Sequence, residues 1–136
     1  VVEVTTERPI VFLGPSMPVT DAQRIVNAEY RRPIKRGDLT EISSGSVVAI
    51  VDGVFEQSLS VSPSEVLEAI TRGVVVFGGA SMGALRAAEV PGVIGVGLIF
   101  SWYRDGIITR DDEVALLFED TTDYALTVPT VNVRFA

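Results

Sequence analysis

Residues 79–83 read Gly79-Ala80-Ser81-Met82-Gly83, a G-x-S-x-G spacing that sets a serine on a tight turn between a strand and a helix. A hydroxyl at that point sits among backbone N–H groups without intrahelical partners, where a developing oxyanion is stabilised. The same position suits a plain helix cap, which is worth about 1 kcal/mol. The chain has no histidine, so a serine-histidine-acid triad is excluded within it. Candidate bases reduce to Asp52, Glu56, Glu89 and Lys35. Asp52 and Glu56 stand in "VDGVFE" after an apolar run, where a carboxylate can hold a water, a hydroxyl or a metal-bound phosphate; Asp-Gly is equally a common turn pair. Gly14-Pro15-Ser16 has the shape of a small anion nest, but no Walker lysine follows it.

Four of the eleven basic residues, Arg31, Arg32, Lys35 and Arg36, fall within one short run. Such a run either binds an anionic ligand or acidic partner, or is a solvated loop. Asp111, Asp112 and Glu113 are consecutive, do not face one point on a regular element, and read as solvated rather than as a magnesium site. Trp102 and Tyr103 read as core or interface.

The elements that must position these groups follow from pattern. Short β-branched runs alternate with helix-length segments: "PIVFLGPS", "TDAQRIVNAEY", "SVVAIVDG", "SPSEVLEAITRG", "VVVFGGAS", "MGALRAAE" and "GVIGVGLIF". The alternation predicts an α/β fold, one doubly wound, Rossmann-like domain over residues 1–136 with a mostly parallel sheet. Thr20 with Gln23 and Ser62 with Glu65 fit capping boxes; Pro63 opens the second helix and Gly73 closes it. Ile25 and Val26, and Val66, Leu67 and Ile70, supply apolar faces for the sheet, and Pro91-Gly92 stops the third helix. Beyond Phe100 the pattern reads as a helix with a late strand, then an extended tail or edge strand. In an open parallel sheet the loops after the strands converge where the strand order reverses. Gly14, Ser16, Asp52 and Ser81 are therefore expected at one sheet edge, in an order that periodicity does not fix.

Composition bounds the rest. At 136 residues, 47% of them hydrophobic and 21% charged, the chain can bury a real core. No apolar run approaches the ~20 residues that span a bilayer, and no secretory signal pattern opens the chain, so no membrane association and a cytoplasmic location are expected. No cysteine and no histidine exclude disulfides and make zinc an unexpected ligand; no metal site and no cofactor are expected. A net charge of −7 argues against nonspecific nucleic-acid binding.

Taken in order, "IVFLGPSMPVTDA", "RRPIKRGDL", "VDGVFEQSLSVSPSEVLEAITRGVVVFGGASMGALRAAE" and "DDEVALLFED" resemble the TfuA-like core domain over roughly residues 10–134. The resemblance implies a partner of YcaO enzymes in peptide or protein backbone thioamidation, as in trifolitoxin-type peptide maturation. It also implies a hydrolase acting on the C-terminal thiocarboxylate of a ThiS-like ubiquitin-fold sulfur carrier, releasing sulfide for YcaO to insert. Ser81, Asp52 and Arg86 are the candidate catalytic residues on these motifs. Gly14, Ser16, Arg36, Asp38, Glu56, Gly79 and Gly83 are the candidate substrate-binding positions. Either Ser81 attacks to form an acyl-enzyme, or a water held by Asp52 attacks directly. The alternative is a non-catalytic adaptor that docks carrier or peptide on YcaO, and a nucleotide in the sheet crevice is a third reading. The oligomeric state is not readable from the chain.

Overall fold

The computed structural model describes residues 7–56 and 58–109. Asp111–Glu113, the rest of "DDEVALLFED" and the tail read as an edge strand lie outside the described residues.

Among the described residues five strands form one sheet: β1 (Ile10–Phe12), β2 (Glu29–Arg31), β3 (Val47–Ile50), β4 (Val75–Gly79) and β5 (Ile94–Val96). Every pair is parallel and the order is β2-β1-β3-β4-β5. Four helices intersperse them: α1 (Val19–Gln23), α2 (Pro63–Thr71), α3 (Met82–Glu89) and α4 (Gly97–Arg104). This is an α/β doubly wound architecture, the arrangement that strand-helix alternation demands once parallel strands need crossovers.

Alternation along the strands divides the sheet into two faces. Phe12, Val48, Ile50 and Val76 point to one side and are buried beneath Ile34, Leu39, Val66, Ala69, Met82 and Leu85. Fully burying one such side chain stabilises by about 1.5–3 kcal/mol, so this face carries the core. On the other side, Tyr30, Val11, Ala49, Phe77 and Ile94 fall on one register row. The Tyr30 hydroxyl donates to the carbonyls of Ala22 and Val26 at 2.9 and 2.8 Å, holding the end of α1 over β2.

The first helix is shorter than "TDAQRIVNAEY" suggests. It ends at Gln23, leaves Ile25 74% and Val26 43% exposed, and yields "EYR" to β2. Two β-branched residues followed by asparagine weaken the helix there, while Tyr30 satisfies the freed carbonyls from a strand. Its N-cap is Pro18, with no side-chain cap bond, so the Thr20–Gln23 capping box does not form. At α2 the Ser62 hydroxyl accepts from Glu65 N at 3.1 Å, and Pro63 and Gly73 (φ +100°) open and close the helix as the sequence predicts. Glu65 does not reach back to Ser62; its carboxylate accepts from Gly37 N and Leu39 N, tying the 37–39 turn to the helix. Leu67 lies off the buried face, 46% exposed, whereas Val66 is buried. "GVIGVGLIF" divides at Gly97 (φ +89°) into β5 and the start of α4, and Trp102 and Tyr103 pack against the core from α4.

Candidate functional site

With β2 and β3 flanking β1, the chain winds outward in opposite directions from the β1/β3 pair. A crevice opens there between the loops that leave those two strands. Those loops are Gly14-Pro15-Ser16 and Val51-Asp52-Gly53. Asp52 follows β3 because its N–H and that of Val51 both donate to Phe12 O at 3.1 Å, folding the strand end toward β1. Its carboxylate then accepts Gly14 N at 2.8 Å and Ser16 N at 3.1 Å on Oδ2, and the Ser16 hydroxyl at 2.5 Å on Oδ1. Asp52 is 1% exposed, whereas Ser16 faces solvent. The Gly14–Ser16 nest is therefore already filled from within, by the carboxyl group of Asp52. Three directional bonds also distinguish this aspartate from an ordinary Asp-Gly turn residue.

Ser81 reaches the same end of the sheet. β4 ends at Gly79, Ala80 turns the chain at φ +61°, and Ser81 is the N-cap of α3. Ala80 is the non-glycine residue with positive φ among the described residues, so the strain of the strand-to-helix turn falls one position before the serine. The Ser81 hydroxyl makes no cap bond. Gly83 N donates instead to Val51 O at 3.2 Å, and Ala84 N to Ser81 O at 3.1 Å, so backbone carbonyls satisfy the donors that a capping hydroxyl would serve. The start of α3 is thus bonded to the residue before Asp52. Met82 packs on Gly53, where an added Cβ would meet Met82 Cγ at 2.6 Å. Ser81 itself is 6% exposed.

The motif glycines have packing work. A Cβ on Gly83 would lie 1.7 Å from Ile50 O, one on Gly78 2.3 Å from Gly83 O, and one on Gly79 2.9 Å from Val96 Cγ2. They let α3 and β5 lie directly on strand backbone.

Arg86, a turn and a half into α3, is 9% exposed. Its Nε donates to Val61 O at 3.0 Å, one terminal nitrogen to Ser60 Oγ at 3.1 Å and the other to Glu89 Oε1 at 3.1 Å. From the other side Arg36 N donates to Leu59 O at 2.7 Å, and Arg36 Nε to Ser60 O at 3.5 Å. Two arginines far apart in sequence thus converge on Ser60. Sequence reasoning passed over Ser60 because one serine in "QSLSVS" carries no spacing signal. Arg86→Lys is expected to lose about 1–3 kcal/mol in chemical denaturation, since an ammonium lacks the planar fork that serves three acceptors at once. Equal stability of the two proteins would show that the fork holds nothing.

The basic run is largely paired. Arg31 pairs with Glu29, and Lys35 with Asp38 at 3.2 Å, while Asp38 also accepts Lys35 N at 2.9 Å. Glu56 is exposed and closes its own turn, its carbonyl accepting Leu59 N and Ser60 N and its carboxylate the Ser58 hydroxyl. The structure thus joins Gly14, Ser16 and Asp52 by direct bonds, places Ser81 on the adjoining helix start, and sets Arg36 and Arg86 around Ser60.

An open groove of about 870 Å³ lies toward the other end of the strands, lined by Glu7, Arg8, Glu29, Arg31, Asp38 and Glu41 among others. Its carboxylates outnumber its guanidiniums, an unfavourable setting for an anionic ligand. The chemistry-bearing loops lie at the opposite end. Among the described residues no helix is long and apolar enough to cross a membrane, and no group of three or more potential ligand side chains could hold a metal ion.

A family model described as TfuA-like protein matches residues 52–136. The matched segment opens at Asp52 and includes Ser81 and Arg86; Gly14 and Ser16 precede it and are joined to it through the Asp52 carboxylate. No curated protein matches the chain.

Proposed function

As a member of the TfuA-like family, which its matched segment shows by covering more than half of the chain, this protein fits a YcaO-associated role in backbone thioamidation. On that premise we propose that it hydrolyses the C-terminal thiocarboxylate of a ThiS-like sulfur carrier at the β1/β3 crevice, releasing sulfide for YcaO.

The observation that carries this reading is the buried Asp52 carboxylate bonded to an exposed hydroxyl at the topological switch point, where open parallel sheets take ligands. A carboxyl terminus is the slender end of a carrier protein and can enter such a crevice. Its thiocarboxylate shares one negative charge between oxygen and sulfur, so attack at the acyl carbon needs donors aimed at that charge. The Ser81 hydroxyl supplies a donor of this kind, and Asp52 supplies the acceptor for a proton. Arg86 and Arg36 hold the 59–61 segment beside them.

The test mixes the chain with thiocarboxylated carrier in the absence of YcaO and follows sulfide. Release above the uncatalysed rate is expected. Release only when YcaO is added would turn the reading to an adaptor that docks carrier or peptide on that enzyme. Ser81→Gly and Ser81→Ala both remove the hydroxyl donor while leaving the backbone bonds that start α3, so both are expected to stay folded and to lose about a hundredfold in turnover, the usual cost of one oxyanion donor. Wild-type turnover in both would reduce Ser81 to a structural residue.

A further inference from the structure

Ser16 and Ser81 are two hydroxyls at one end of the sheet, and they differ in access. Ser81 is buried; Ser16 is exposed and bonded at 2.5 Å to a carboxylate that is itself 1% exposed. The polarity of that bond is fixed by chemistry. A carboxylate oxygen accepts, so the Ser16 hydroxyl donates its one proton to Asp52 Oδ1 and keeps lone pairs with which to accept in turn. A site that presents lone pairs beside a negative charge repels a thiocarboxylate and attracts a donor. Water is such a donor. The exposed, carboxylate-bound hydroxyl therefore suits the attacking water better than it suits the substrate.

Resting on the hydrolytic reading above, we propose that Ser16 is a catalytic residue that binds the attacking water and relays its proton to Asp52. The water oxygen forms a bond to the acyl carbon as one water proton moves to Ser16 Oγ and the Ser16 proton moves to Asp52 Oδ1. The C–S bond then breaks with its electron pair on sulfur, which takes the proton back from Asp52 and leaves as hydrosulfide. The carboxylic acid left on the carrier ionises. Thiocarboxylate and water thus become carboxylate, hydrosulfide and one proton, with no covalent enzyme intermediate.

Ser16→Ala isolates the hydroxyl, because the N–H groups of residues 14 and 16 still bind Asp52 Oδ2 and keep the loop in place. With the full chain and thiocarboxylated carrier, Ser16→Ala is expected to lower kcat about a hundredfold, a modest general-base contribution, with KM changed less than threefold. Ser16→Thr, which keeps a hydroxyl, is expected to regain most of the rate. The solvent isotope effect, reporting two protons in flight, should fall in Ser16→Ala, and intact-mass measurement after rapid quench should find no acyl adduct. Unchanged kcat in a folded Ser16→Ala protein, or an adduct on Ser16 or Ser81, overturns the relay while leaving hydrolysis standing. Absence of sulfide release by the wild-type chain overturns both.

Discussion

Asp52→Asn is expected to fold like the wild type and to lose sulfide release by about a hundredfold or more, the cost of removing a general base. The expectation comes from which bonds an amide can keep. Its oxygen accepts Gly14 N and Ser16 N as Oδ2 does, and its nitrogen donates to Ser16 Oγ, reversing the bond that now runs from the hydroxyl to Oδ1. The loop survives, and the hydroxyl proton turns away from a group that no longer accepts it. Asp52→Ala differs in kind. It strands the two N–H donors and opens space at a residue 1% exposed, so stability should fall by roughly 3 kcal/mol, the lower part of the range for two unsatisfied donors. Thermal melts with sulfide assays separate the two effects. Near wild-type turnover in Asp52→Asn removes Asp52 from the proton path whatever its structural worth.

That Gly14, Ser16, Asp52 and Ser81 come to one end of the sheet was legible in the sequence because each follows a strand signal. Gly14-Pro15-Ser16, Asp52 and Ser81 all leave apolar runs that do form β1, β3 and β4. What the chain could not disclose was which of them touch. Strand order sets that, and placing β3 beside β1 brings Asp52 to the Gly14–Ser16 loop across 36–38 positions of sequence. A nest read as open to a ligand consequently proves to hold an internal carboxylate.

Two other departures share a cause. "NAEY" reads as helix until a partner strand exists, and only pairing with β1 makes β2 of its last residues. Glu65 reads as half of a capping box until the 37–39 turn presents two N–H groups to it. In both, a tertiary partner outweighed a local preference worth less than about 1 kcal/mol per residue. Alternation within β3 and β4, by contrast, was readable because burial of one face repeats every second residue.

The glycine at position 83 allows the sharpest test of how this site is built. Gly83→Ala is expected to abolish the native fold, or to leave so little stability that the protein is largely unfolded at 37 °C. A Cβ there would lie 1.7 Å from Ile50 O and 2.6 Å from Ile50 C. Neither atom is the end of a flexible side chain. Ile50 is a buried strand residue paired with both β1 and β4, so its carbonyl cannot withdraw without loosening the centre of the sheet. The alternative is for α3 to lift, which breaks the Gly83 N bond to Val51 O and withdraws Ser81 from Asp52's strand end. Overpacking commonly costs 1–3 kcal/mol when side chains can adjust; a backbone obstacle puts this substitution above about 4 kcal/mol, against the roughly 5–15 kcal/mol that a small domain has in total. Ala88→Lys on the exposed side of the same helix serves as the control and should change stability by less than about 0.5 kcal/mol. Gly53→Ala should fall between them, because the atoms it meets belong to the Met82 and Ile34 side chains, which can shift. A Gly83→Ala protein that melts like the wild type would mean that α3 does not rest on Ile50, and the placement of Ser81 beside the Asp52 loop would go with it.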